Sequence, residues 1–352
     1  MAESDLADTF RRLIANSGPI SLMQFMGESN AHYYNHAEAL GAEGDFITAP
    51  EISQMFGELI GLWLADMWDR AEKPANVHYV ELGPGRGYLA RDALRAMQKA
   101  ELYPRAHLVE GSARLRDMQL SQLPEAIFHN DLSSVPMDGP ILLVANEFLD
   151  ALPVRQLVMT ANGWREMAVD LAEDGEGFRL VAGTTPMDAA VPEARRQAET
   201  GTVIETCPGA AAVMFEVAGR LMKQGGAAVF IDYGHVAPRL GSTLQAISKH
   251  QKVDPLQSPG SADLTCHVDF DMMKQIALSR DARWMGTTTQ GAWLNALGIQ
   301  HRAQALAQAS PDQGEVLART VHRLTAADQM GDLFKVMGLS GPDWPQGAGL
   351  AG

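Results

Sequence analysis

The sequence predicts an α/β protein built on a parallel sheet, with a helical region ahead of it and an antiparallel β-meander inserted into it. Three observations carry this. From residue 77 onward, short apolar runs alternate with helical patterns, the signature of parallel strands joined by crossover helices. The first run, His78–Leu82, enters a turn with glycines at alternate positions and then a helical pattern through Leu89, Leu94 and Met97. Residues 155–182 instead alternate polar and apolar positions, punctuated by glycine turns at Asn162-Gly163 and Asp174 to Gly177.

Taken in order, residues 5–30 read as one or two short helices broken near Gly18-Pro19, followed by a loop from His32 to Phe46 with turns at Gly41 and Gly44. Thr48-Ala49-Pro50-Glu51 has the form of a capping box. Ile52, Met55, Phe56, Leu59, Ile60, Trp63, Leu64, Met67 and Trp68 then recur at helical spacing, giving one long amphipathic helix to line a ligand cleft or a homodimer face. Strands follow at His78–Leu82, Ala106–Val109, Ala126–His129 and Ile141–Ala145, each apolar on both faces as buried parallel strands are. After the meander come a polar linker at 185–200, a helix over Ala210–Lys223 and a strand over Ala227–Asp232. Gly234–Thr265 shows little periodicity, and a structureless stretch that long is expected to be a lid or binding loop. Helices near 269–279, 290–297, 301–308 and 311–323 precede a last strand at Leu333–Leu339. The expected organisation is an N-terminal helical region over 1–75, a first half of the core over 76–154, the meander over 155–205, and a second half of the core over 206–345.

A formal net charge of −15 argues against nucleic-acid partners, whose phosphates are bound by Lys and Arg. Cys207 and Cys266 are too few and too far apart for a disulfide scaffold or a zinc site, and no histidines fall at metal-ligand spacing, so no metal is expected. No apolar run reaches about 18 residues, so no membrane span is expected. Residues 1–12 are acidic and lack a signal or transit pattern, which gives the cytoplasm as the expected compartment.

The glycine spacing selects the ligand. Val80-Glu81-Leu82-Gly83-Pro84-Gly85-Arg86-Gly87 is G-x-G-x-G; the dinucleotide pattern G-x-G-x-x-G fails because its last position is Tyr88. With Glu81 on the preceding strand, the segment is similar to the first motif of class I S-adenosylmethionine-dependent methyltransferases. In an open α/β sheet, ligands bind at the carboxyl ends of strands. Those ends supply Gly83, Pro84, Gly85, Gly87, Glu110, Asn130, Asp131, Asn146 and Glu147. Glu110 stands where a ribose-gripping acid is expected, its plainer role being to cap the helix from Ser112. Asp131 suits an adenine amino group or, equally, the cap of the next turn.

Asn146-Glu147-Phe148-Leu149-Asp150 follows the fourth strand, where transfer would occur. One helical turn there would put the Glu147 and Asp150 carboxylates on a shared side, to orient a cationic acceptor and take its proton, or merely to favour a helix start. Phe148, Asp232, Tyr233 and His235 are the candidate acceptor-side residues; packing is the simpler role for Phe148, and tying down the following loop an equal one for His235.

Over nearly its whole length the chain resembles the MidA-like family of class I methyltransferases. The strings that carry this are Gly44-Asp45-Phe46-Ile47-Thr48-Ala49-Pro50-Glu51-Ile52-Ser53-Gln54, the glycine loop, Asn146-Glu147-Phe148 through Pro153, Ile231 to His235, Thr243 to Ala246, and Asp254-Pro255-Leu256 to Thr265. The chain departs from the family's look at Asn35–Leu40, Tyr88, Leu149 and Ser242, away from the core cofactor pattern. The resemblance implies a Rossmann-like sheet binding S-adenosylmethionine and, for a mitochondrial member, methylation of an arginine on a respiratory complex I subunit. A small-molecule O- or N-methyltransferase and a cofactor-binding assembly factor with little catalysis stay open beside it.

Overall fold

The computed structural model describes residues 6–36, 48–248 and 251–351. The turns expected at Gly41 and Gly44, and the string from Gly44 to Ile47, lie outside the described residues. In chain order the elements are α1 (Leu6–Ser17), β1 (Ile20–Ser21), α2 (Leu22–His36), α3 (Ala49–Ile52), α4 (Gln54–Arg70), β2 (His78–Leu82), α5 (Tyr88–Lys99), β3 (Arg105–Val109), α6 (Ala113–Gln122), β4 (Ile127–His129) and β5 (Ile141–Asn146). Then come β6 (Arg155–Thr160), β7 (Gly163–Leu171), β8 (Phe178–Pro186), β9 (Val203–Thr206), α7 (Pro208–Gln224), β10 (Gly226–His235), β11 (Gln245–Ser248), β12 (Gln251–Val253), β13 (Asp263–Thr265) and β14 (Val268–Asp269). The chain finishes with α8 (Phe270–Ser279), β15 (Arg283–Thr289), α9 (Gln290–Ala296), α10 (Ile299–Ala309), α11 (Gly314–Thr325), α12 (Met330–Leu333) and β16 (Phe334–Ser340). Among the described residues no helix is long and apolar enough to cross a membrane.

These elements form two compact units. One comprises Ile47–Leu149, Ala211–Ala237 and Val268–Gly352 and holds the main sheet, ordered β15-β16-β10-β5-β2-β3-β4, with β14 added beside β10. The strands from β10 to β4 are parallel, whereas β16 runs antiparallel between β10 and β15. Strand order reverses between β2 and β5: β3 and β4 lie to one side, β10 and β16 to the other. Ligand sites in open α/β sheets form at such a reversal. The long helix of the sequence reading is α4, and its apolar side belongs to the core of this unit, with Met55, Phe56, Ile60, Trp63, Leu64 and Met67 at most 2% exposed. Burying side chains of that size stabilises by about 1.5–3 kcal/mol each. Gly61 lets α4 approach α5 closely, since a Cβ there would lie 2.3 Å from the Ala93 carbonyl oxygen. Neither a ligand cleft nor a dimer face is needed to account for this helix.

The other unit comprises Met1–Phe46, Asp150–Ala210 and Pro238–His267. Its larger sheet has the order β1-β7-β6-β9 with β8 paired to β7, antiparallel throughout. A smaller antiparallel sheet has the order β12-β11-β13. Phe10 of α1 stacks on Phe25 of α2 at 4.9 Å, and Phe178 of β8 meets both edge-on. Asn30 fastens α2 to β13, its Nδ2 donating to the carbonyls of Ala151 and Leu264 and its Oδ1 accepting the Leu264 N–H at 3.0 Å.

The N-terminal region is therefore divided. Helices α1 and α2 belong with the meander, while α3 and α4 belong with the main sheet. Periodicity identifies an apolar face but not the face that it meets. The segment 234–265, expected to be structureless, contains β11, β12 and β13, which at three or four residues each are too short to show alternation. Strands β9 and β15 also escaped the sequence reading. In β15 a bulge at Trp284/Gly286 breaks the period, and Gly286 (φ +138°) is crossed by Ala351, whose backbone would lie 2.8 Å from an added Cβ.

Candidate functional site

The reversal of strand order sets the turn after β2 beside the turn after β5. Gly83, Gly85 and Gly87 have φ of +60°, +53° and +82°, so all three use the left-handed backbone that glycine adopts without a Cβ penalty. Pro84 is buried, and its carbonyl accepts the Gly87 N–H at 2.8 Å, closing the turn at the start of α5. The N-terminus of α5 directs its positive end into the loop, as an anion- or nucleoside-binding turn requires. Gly83 is also sterically required: a Cβ would sit 2.6 Å from Cδ2 of Phe148. Phe148 thus packs its ring on the glycine loop, the simpler of its two expected roles.

Two acids flank the loop. Glu81 is 2% exposed and accepts a short hydrogen bond from the Tyr79 hydroxyl; burial pushes its carboxyl up to about 7, against the opposing pull of that bond. Glu110, at the end of β3, accepts the Ser112 N–H at 2.8 Å on Oε1 and Gln119 Nε2 at 3.2 Å on Oε2. Burial raises its carboxyl, while the N–H groups of Ser112 and Gly111, the Gln119 amide and the Arg116 charge pull it back. A carboxylate has about four lone-pair positions, so Glu110 assists the start of α6 and still keeps acceptor capacity for a hydroxyl. The cap of α6 itself is Ser112, whose Oγ accepts the Leu115 N–H.

Beyond β4, Asn130 and Asp131 are exposed. Asn130 Oδ1 accepts Arg116 Nη2 at 2.6 Å, and Arg116 also donates to the carbonyls of Glu110 and His129, joining the ends of β3 and β4. Asp131 accepts the Ser133 hydroxyl, while its carbonyl accepts that of Ser134 at 2.9 Å. Asp131 stands at the N-cap position of the turn Leu132–Ser134, and its carboxylate is at the surface.

At the end of β5, Glu147 occupies the left-handed region with φ +49°, uncommon for a residue with a side chain. Its N–H donates to Ile231 O at 2.9 Å, and its Oε1 accepts the Ala49 N–H at 3.3 Å and Asn146 Nδ2 at 3.1 Å. Asn146 is 9% exposed, and its Oδ1 is buried with no donor among the described residues. An unfilled buried acceptor costs about 1–3 kcal/mol, and this one lies beside the Glu147 carboxylate at the end of β5.

The helical turn expected to align Glu147 with Asp150 does not form. The left-handed backbone at Glu147 breaks it, and residues 147–152 form no helix. Asp150 belongs to the other unit, where its carbonyl accepts the Cys266 N–H at 3.0 Å. There burial and the charges of Asp263 and Asp150 hold the Tyr34 hydroxyl well above its ordinary range.

Asp232 and Tyr233, expected on the acceptor side, are 1% and 8% exposed. Asp232 accepts three main-chain N–H groups: Phe148 (3.2 Å) and Leu149 (3.0 Å) on Oδ2, and Tyr233 (3.0 Å) on Oδ1. It holds the turn that carries Glu147. Tyr233 packs edge-on against Phe334 at 5.5 Å. His235 pairs Nδ1 with the Ala237 carbonyl at 2.8 Å and ties down its own loop. Among the described residues no cluster of three or more His, Cys, Asp or Glu could hold a metal.

Sequence reasoning missed Gln119, Arg116 and the Ala49 N–H. None had a local signal, because each acquires its role from a partner between 6 and 98 residues away. The set fits a sulfonium nucleoside: a turn with glycine at alternate positions, an acid with a spare acceptor position after β3, and an unfilled carbonyl oxygen at the end of β5.

Known proteins agree with that fit. Residues 59–288 match the family model described as "Putative S-adenosyl-L-methionine-dependent methyltransferase". The chain is 35% identical to "Protein arginine methyltransferase NDUFAF7, mitochondrial" of Xenopus tropicalis, covering 92% of this chain and 82% of the relative. It is 36% identical to the Drosophila melanogaster homolog, covering 95% and 84%. A crystal structure of a "likely methyl transferase from Burkholderia thailandensis bound to S-adenosyl-homocysteine" superposes with a TM-score of 0.84 at 27% identity, over 99% of this chain and 92% of that one. The expectation of a cytoplasmic location does not stand, because these relatives are named as mitochondrial; an acidic N-terminal stretch was too weak a basis for it. The matched model spans most of the chain and the relatives nearly all of it, and the chain belongs to this family of S-adenosyl-L-methionine-dependent methyltransferases.

Proposed function

We propose that the methyl acceptor is a protein arginine, held at the end of β5 by Asn146 and Glu147. The observation that carries this is the buried Oδ1 of Asn146, an acceptor awaiting a donor, beside the Glu147 carboxylate. A guanidinium has five N–H donors and no acceptor, and it stays protonated at neutral pH. Asn146 Oδ1 takes one N–H and orients the group. Glu147, fixed by the Ala49 N–H and Asn146 Nδ2, draws the positive charge away from the nitrogen that reacts.

The cofactor supplies an electrophilic methyl group, and the protein supplies alignment. Forming the C–N bond would break the methyl–sulfur bond of the cofactor, whose electron pair stays on sulfur to leave S-adenosylhomocysteine, and Glu147 would take the N–H proton that is lost. Glu110 holds the ribose, with Glu81 and the loop of Gly83, Pro84, Gly85 and Gly87 beside it, and Asp131 with Asn130 at the adenine end. Asp150 is given no step. The names of the relatives favour arginine over a small-molecule acceptor, and a respiratory complex I subunit is the first protein to offer.

Glu147→Gln should lower methyl transfer to a protein acceptor by at least about 100-fold, roughly 3 kcal/mol, while S-adenosylhomocysteine binds as before in calorimetry. Unchanged turnover would remove Glu147 from the reaction. Label appearing only on small molecules would replace arginine as the acceptor, and binding without transfer to any acceptor would make the chain an assembly factor.

A further inference from the structure

We infer that Gln119 is a positioning residue for the cofactor, locking the glycine loop and the ribose-binding acid into a single cradle. Gln119 is fully buried in α6, and its Nε2 donates to the Gly85 carbonyl at 2.7 Å and to Glu110 Oε2 at 3.2 Å. Both partners are acceptors, so the amide has only one workable orientation: a flip would set Oε1 against a carbonyl and a carboxylate. Both N–H groups of the amide are then engaged, one on the turn after β2 and one on the acid after β3. The side chain stem continues the fit, with Cγ 3.5 Å from the position of a Cβ on Gly87.

The consequence is geometric and electrostatic. Glu110 Oε1 is already fixed by the Ser112 N–H, so Gln119 fixes the second oxygen and with it the plane of the carboxylate. Two vicinal hydroxyls need that plane set to within a fraction of an ångström, because a loosened carboxylate re-optimises on one hydroxyl at the expense of the other. Gln119 also favours the charged form of Glu110 against its burial. The residue touches no cofactor atom in this scheme; it acts through Glu110 and Gly85. The inference rests on the reading that Glu110 holds the ribose, and its test separates the two.

Calorimetry compares S-adenosylhomocysteine with an analogue lacking both ribose hydroxyls, on the wild type, Gln119→Leu and Glu110→Gln, each first shown folded by its thermal melt. Gln119→Met takes the place of Gln119→Leu if the latter is unfolded. The expected result is that Gln119→Leu loses about 10-fold in affinity for S-adenosylhomocysteine and less than about 2-fold for the analogue. The acid limb of its binding curve should also move to higher pH, because Glu110 loses a donor to its charged form. Equal losses for both ligands would confine Gln119 to the Gly85 carbonyl and overturn the shared cradle, and no loss for either would overturn the positioning role altogether, while Glu110→Gln still discriminates between them. If Glu110→Gln fails to discriminate, the ribose reading itself falls, and the Gln119 inference with it.

Discussion

The acids at the ends of β3 and β10 are both buried, yet they meet opposite demands. Asp232 accepts three main-chain N–H groups from its own strand end and from the turn after β5. Glu110 accepts the main-chain N–H groups of Ser112, at 2.8 Å, and Gly111 and the side-chain amide of Gln119 at 3.2 Å, which leaves about one lone-pair position open. The first carboxylate is a fastening of the fold, and the second is the start of a ligand site. Strand-end position and the number of donors do not separate them; exposure, 9% for Glu110 against 1% for Asp232, and the side-chain donor on Glu110 do.

That contrast breaks most readily at Asp232. Asp232→Asn keeps the shape but replaces one acceptor oxygen by a donor, leaving one or two buried N–H groups without an acceptor. A loss of about 2–6 kcal/mol in urea-induced unfolding is expected, with S-adenosylhomocysteine affinity little changed wherever the variant is folded. Unaltered stability together with lost transfer would return Asp232 to the acceptor side.

Glu81 sharpens the comparison as a third buried acid, held by one hydroxyl rather than by backbone. Its folded carboxyl titrates near 7, above the 4.5 of an unperturbed glutamate, so the folded state binds the extra proton between those values. Wild-type stability therefore falls as pH rises through that window, and Glu81→Gln is spared the loss. Relative to wild type, the variant should gain about 3 kcal/mol between pH 4.5 and 7. A constant difference across that range would show that Glu81 is charged when folded. His107 works in the opposite sense in the same sheet: it lies in a chain from Asp138 through His78 to His129, and burial lowers it to about 4.

Much of this was legible in the sequence because the core strands are written in apolar runs that admit one reading. His78–Leu82 was bounded to the residue and β3, β4 and β5 to within one, because parallel strands written in apolar runs lack a polar face to blur the pattern, whereas β10 runs three residues past its expected end. Gly83, Gly85 and Gly87 were legible for the same local reason, since a left-handed turn must be written in glycine. What failed was whatever depends on distant partners. Glu147 and Asp150 were paired by spacing, but the backbone turn at Glu147 is dictated by Asp232 and Ile231, more than 80 residues on. Asp232 and Tyr233 looked chemical because they are polar at a strand end, whereas their partners, three main-chain N–H groups and the Phe334 ring, come from positions that local sequence does not reveal.

The smallest expected effect tests the contact between the two turns that flank the reversal of strand order. Gly83→Ala must hold an alanine at φ +60°, a conformation that costs an L-residue about 1–2 kcal/mol, and must also move the Phe148 ring from 2.6 Å. The two costs can be separated. With Phe148→Leu as background, the steric part is relieved and the backbone part persists, so a double-mutant cycle on unfolding free energy should give a coupling of about 0.5–1.5 kcal/mol. A coupling of zero would mean that Phe148 leaves the loop readily and does not pack there. In that case its ring would be available to an acceptor, and the turn after β5 would have to be counted with Glu110 as an open surface rather than with Asp232 as a fastened one.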